Sequence, residues 1–109
     1  MLLKKEIEEA IRLEMFRITD HAYEEALSDN LTFKEIIESV FQGEIIEQYP
    51  TDKPYPSCLI FGENSQHEPI HSVWACNRVN SWAVIITVYR PNPKRWIDWK
   101  TRRKSNDPV

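Results

Sequence analysis

The hydrophobic period of this chain changes once, at Gly43, and that change limits what it can fold into. Before Gly43 the apolar residues recur at helical spacing. After it they alternate or run in short blocks bounded by prolines. Leu3, Ile7, Ala10, Ile11 and Met15 predict an amphipathic helix over 2–16. Thr19 or Asp20 can cap a second helix reaching to about Ser28. Thr32 and Glu35 have the spacing of a capping box. Behind them Phe33, Ile36, Ile37, Val40 and Phe41 share one face, and Gly43 takes the usual position just past the helix end. Glu44–Tyr49 then reads as a first strand. The irregular connection with Pro50, Pro54 and Pro56 beside it is tolerable only at a sheet edge. Ser57–Phe61, Ile70–Cys76 and Trp82–Tyr89 follow as strands. The last is apolar on both faces, which predicts an inner position with Ile70–Cys76 as one neighbour. The expected class is α+β: two or three N-terminal helices packed on one side of a four-stranded, mostly antiparallel sheet. One domain should cover 1–104, followed by a polar tail over 105–109.

Composition narrows the function classes. A chain of 109 residues, 41% hydrophobic and 28% charged, suits one globular domain with a modest core. No apolar run approaches the roughly 20 residues of a membrane span. The opening Met1-Leu-Leu-Lys-Lys turns acidic at once, unlike a secretion signal. A cytoplasmic protein without a membrane partner is expected. Cys58 and Cys76 are isolated in apolar surroundings and read as buried free thiols. The net charge of -3 conceals an asymmetry: residues 1–52 carry 13 acids and 5 bases, residues 53–109 carry 4 acids and 9 bases. That pattern fits either a nucleic-acid-facing edge or solvated surface charge.

Few residues could carry chemistry. His21 falls in the first turn of its helix, where the helix field favours the neutral base. His71 alternates with Val73 and Ala75 on one strand face, a pattern shared by core histidines and by catalysts. Tyr89 and Arg90 end the most hydrophobic strand, where side chains leave the core for a rim. Tyr can donate a proton, and Arg can grip phosphate through two hydrogen bonds. Arg90, Lys94, Arg95, Lys100, Arg102, Arg103 and Lys104 are opposed only by Asp98 and interleaved with Trp96 and Trp99. Charge for phosphates and flat rings for bases are what single-stranded RNA requires; a solvated tail that packs its tryptophans has the same composition. His67 and His71 straddle Pro69 and make a poor metal pair, so neither a metal nor another cofactor is expected. With two glycines in all, the chain has no phosphate-cradling glycine loop.

The phrases ITDHA (18–22), FQGEIIEQYPTDKPYPSCLIFG (41–62), PIHSVWA (69–75), VIITVYRPNPKRW (84–96) and KTRR (100–103) together resemble the small bacterial family called domain of unknown function 4258. The resemblance implies likeness to the RelE-like and barnase-like small RNases, many of them toxins with a cognate antitoxin. It implies a RelE-like fold and a metal-independent RNA endonuclease. In that reading His21 or His71 transfers one proton and Tyr89 the opposite one, while Arg90, Lys100, Arg102 and Arg103 hold phosphate. One departure stands out. The family's helical His is usually followed three positions later by a base, and this chain has Glu24 there. That favours the alternative expectation, a non-catalytic module that keeps the fold and binds RNA or a protein.

Overall fold

In the computed structural model, which describes residues 1–104, three helices lie on one face of a five-stranded sheet. The tail expected at 105–109 lies outside the described residues. The helices are α1 (Lys4–Arg12), α2 (Asp20–Ser28) and α3 (Phe33–Gln42). The strands are β1 (Phe16–Ile18), β2 (Glu44–Tyr49), β3 (Ser57–Glu63), β4 (Pro69–Asn77) and β5 (Trp82–Tyr89) in the order β1-β5-β4-β3-β2. A separate two-stranded hairpin, β6 (Trp96–Ile97) and β7 (Thr101–Arg102), follows.

The sheet has one strand more than expected, and it is mixed. The first helix stops at Arg12 instead of running to residue 16, because Glu14 turns left-handed at φ 58° and breaks it. The next residues are too short a run to announce a strand. Even so, Phe16, Arg17 and Ile18 pair in parallel with Ala83, Val84 and Ile85. Phe16 and Ile18 pack on the core while Arg17 faces the other side. β5 is therefore flanked by β1 and β4, the inner position its two-sided hydrophobicity predicted. β2 is an edge strand, as the neighbouring prolines required.

The core lies between helices and sheet. Ile7 and Ala10 of α1, Ala22 and Ala26 of α2, and Ile36 and Val40 of α3 meet Ile60, Ile70, Trp74, Ile85 and Val88. Among the described residues, the outer edge of β5 has no strand partner beyond Ile18. Residues at the start of α2 and along it take over. Thr19 caps the helix through its hydroxyl, which also donates to the Ile86 carbonyl. The Glu25 carboxylate accepts from the Thr87 hydroxyl and the Val88 N–H, and Asp29 accepts from the Arg90 N–H.

Gly43 is not the left-handed helix stop expected of it: its φ of -93° and ψ of -171° are extended. Its use is closeness. A Cβ there would lie 2.4 Å from both the Phe61 and Ser39 carbonyl oxygens, and one on Gly62 would lie 1.7 Å from the Ser39 oxygen. The last turn of α3 thus rests directly on the β3 backbone. Gly62→Ala should cost about 3 kcal/mol, since two backbones must separate to admit a methyl. Chemical denaturation measures it; a loss under about 1 kcal/mol would show that α3 can slide freely on the sheet.

Candidate functional site

The sheet face away from the helices has His71 near its centre. Cα pairing sets His71 opposite Tyr89 on β5 and opposite Phe61 on β3. The three side chains therefore share one face. The β6–β7 hairpin folds over them and places Trp96 edge-on to the imidazole at 4.5 Å. Phe61 and Tyr89 complete an aromatic box around the ring. The result is a histidine with 0% exposure.

Both ring nitrogens are satisfied, and the partners fix the tautomer. Nε2 lies 2.6 Å from the Trp99 carbonyl oxygen, which can only accept, so Nε2 carries the proton. Nδ1 is then the acceptor of the Tyr89 hydroxyl at 3.1 Å. The Trp99 carbonyl reaches inward because Asp98 and Trp99 adopt φ values of 50° and 66° at the hairpin tip. A bulky residue in that region costs about 1–3 kcal/mol, so the surrounding contacts hold it there. Burial keeps the imidazole below the ordinary histidine range and pushes the Tyr89 phenol above the ordinary tyrosine range. The pair is neutral near neutral pH, and Tyr89, half-buried, is its outlet to solvent.

His21 stands at the same end of β5. Its ring is largely exposed, and Nε2 lies 3.2 Å from the Glu25 carboxylate that accepts from Thr87. The charge of Glu25 reaches far enough to raise Tyr89. Glu24, three positions after His21, is exposed, and the carboxylate beside the His21 ring is that of Glu25. Its spacing of four residues from His21 on a helix was the available signal. Thr87 was legible in the same way, two residues before Tyr89. Nothing in the sequence announced the Trp99 carbonyl.

The four cations expected on phosphate are scattered and engaged. Arg90 points away from His71, donating to the Asp29 and Asn30 carbonyls and pairing with Glu35 and Glu68. Lys100 pairs with Glu44 at 3.4 Å and lies over the Phe61 ring. Arg102 stacks over Trp96 at 4.7 Å while donating to Glu47 at 3.0 Å. Arg103 donates to the Pro93 carbonyl. Arg102 is the cation nearest the pair in effect, since its charge is felt by both His71 and Tyr89. Trp96, at 4% exposure, is a cover for His71 and not a platform for bases.

Other groups offer less. Cys58 and Cys76 are free and buried, and burial pushes the Cys58 thiol up to about 12. His67 is exposed beside Glu63 and far from serving with the buried His71. Among the described residues no three potential metal ligands converge, and no helix is long and apolar enough to cross a membrane.

The His71 environment has a pH signature. An unfolded histidine titrates near 6.5, and the folded one lies lower, so the unfolded state binds more protons below that value. The stability gained from keeping His71 neutral is complete above the unfolded value and is lost as pH falls through the folded one. Melting should therefore drop more between about pH 7.5 and about pH 5.5 for the wild type than for His71→Gln, which cannot titrate. Parallel pH dependence in the two proteins would contradict a buried neutral imidazole.

A family model described as domain of unknown function (DUF4258) matches residues 18–90, from the last residue of β1 to the residue after β5. Neither the curated proteins nor the solved structures contain a match. The matched stretch includes His21, Glu25, His71, Thr87 and Tyr89, while the hairpin that closes over His71 lies beyond it. With well over half its length matched, the chain belongs to the DUF4258 family.

Proposed function

We propose that this protein is a metal-independent RNA endonuclease of the RelE-like kind, acting as a toxin under the control of a cognate antitoxin. One observation carries the reading: a tyrosine hydroxyl at a sheet rim, backed by a buried neutral imidazole, with a second histidine held by Glu25 at the same strand end. Two proton stations on one rim are what transfer of a phosphoryl group to a ribose 2′ oxygen needs.

In this mechanism the 2′ hydroxyl gives its proton to the Tyr89 oxygen as the phenol passes its own to His71 Nδ1. Because Tyr89 already donates to Nδ1, its oxygen keeps a lone pair for the incoming proton. The 2′ oxygen bonds to phosphorus, the bond to the 5′ oxygen breaks, and protonated His21 delivers a proton to that leaving oxygen. The products are a 2′,3′-cyclic phosphate and a 5′ hydroxyl. Tyr89 and His21 touch the reacting atoms. His71 acts through Tyr89; after cleavage it gives its extra proton back to Tyr89 as Tyr89 releases one to water, and His21 takes one up from water. Arg102 lies where it can offset the charge building on phosphate.

The pairing of Lys100 and Arg102 with Glu44 and Glu47 favours a second reading. A module with its cations committed internally could bind a partner without cutting it. Cleavage of a short single-stranded RNA in excess EDTA separates the two. The wild type should cleave, and Tyr89→Phe should cut about 100-fold more slowly with little change in melting. RNA bound but left intact by the wild type would establish the binding module. Cleavage that needs a divalent ion would overturn the proton-relay mechanism.

A further inference from the structure

The same sheet face continues from Tyr89 toward the other end of β5, where it opens into a groove of about 280 Å³ lined by Arg17, Tyr55, Asn77, Asn80, Trp82 and Val84. Register explains the grouping: Arg17 pairs with Val84, and Asn77 pairs with Trp82, all on the side away from the helices. From these residues we propose that the groove is a subsite for one nucleotide of single-stranded RNA, whose base stacks on Trp82 or Tyr55 while its phosphate meets Arg17. The proposal rests on the ribonuclease reading for its choice of substrate.

The lining combines stacking surface, positive charge and hydrogen-bond donors. Trp82 and Tyr55 are 39% and 36% exposed, and they flank a cation. Among the described residues the Arg17 side chain makes no ion pair or hydrogen bond, whereas those of Arg90 and Arg102 are both paired. The groove lining contains no carboxylate, in a chain of net charge -3. Asn77 and Asn80 accept backbone N–H groups from Val79 and Trp82 through their side-chain oxygens, which turns each amide nitrogen outward as a fixed donor. An arginine on an edge strand also discourages edge pairing, but that role needs only its charge. It does not call for two exposed aromatics and two oriented amides beside it.

The spacing suits a strand that spans both places. Tyr89 is seven positions beyond Trp82 on β5, and Ile86 is a bulge, so the two lie roughly 20 Å apart along the strand. An RNA lying along β5 could put a base in the groove and a phosphate at the Tyr89 rim. Stacking on aromatics accepts every base, so the subsite would add affinity and register without strong sequence choice.

The test uses the full chain and a fluorescent 2′-O-methyl hexa-adenylate, which has no 2′ hydroxyl to react. Its affinity is measured at several salt concentrations. Trp82→Leu should weaken binding by about tenfold. Arg17→Gln should weaken it and lower the log–log salt slope by about 0.7, the loss of one single-strand phosphate contact. Both groove side chains are exposed, and melting of each variant confirms that the fold is kept. Unchanged affinity and slope in both groove variants would overturn the subsite, as would a wild type that binds no strand; the groove would then be left to a protein partner. If the groove variants bind normally while Tyr89→Phe loses cleavage, the subsite fails and the ribonuclease reading stands. If the groove variants lose binding while Tyr89→Phe cuts natural RNA normally, the subsite stands and the proton assignment fails.

Discussion

A histidine ring can be sealed from water only if both its nitrogens find partners, and His71 finds them on two separate parts of the chain. Tyr89 comes from the neighbouring strand and the Trp99 carbonyl from the terminal hairpin. Leaving either nitrogen unpaired in that box would cost about 1–3 kcal/mol. The ring therefore ties the hairpin to the sheet and fixes the direction of the Tyr89 hydroxyl at once. Rigid placement of one reactive group by a buried second is the form a functional site needs, and it does not require the buried group to touch a ligand.

The charge asymmetry of the sequence is largely spent inside the molecule. Lys100 and Arg102 of the basic half meet Glu44 and Glu47 of β2, and Arg90 meets Asp29, Glu35 and Glu68 around the α2–α3 corner. Exposed pairs of this kind contribute about 0–1 kcal/mol each. The main effect of the Lys100 and Arg102 pairs is positional, holding the hairpin over His71. Among the described residues, the Arg17 guanidinium on this sheet face has no ion-pair partner.

Much of this was legible in the sequence. Helical spacing and the Thr32–Glu35 box placed α3, and two-sided hydrophobicity placed β5 between neighbours. His71 and Tyr89 were singled out, and strand pairing brings them together. Three things were not legible. β1 is three residues long and reads as the end of a helix, because Met15 continues the helical spacing. The role of Gly43 depends on how close α3 comes to β3, which no local pattern encodes. The terminal tryptophans look alike in sequence, yet one covers His71 with its ring and the other holds it with its backbone. Long-range packing decides such assignments, and a basic segment rich in tryptophan gives no hint of which will be buried.

The position of the His71 proton decides whether the site is built as described, and nitrogen-15 correlation spectroscopy reads it directly. The predicted result is a single neutral tautomer near neutral pH, with the proton on Nε2 and Nδ1 unprotonated, and a titration midpoint below the ordinary histidine range. In Tyr89→Phe the Nδ1 resonance should shift while Nε2 stays protonated. A proton on Nδ1, a mixture of tautomers, or titration like an exposed histidine would mean that Tyr89 is not held by His71. The site would then lose the interaction on which it is built.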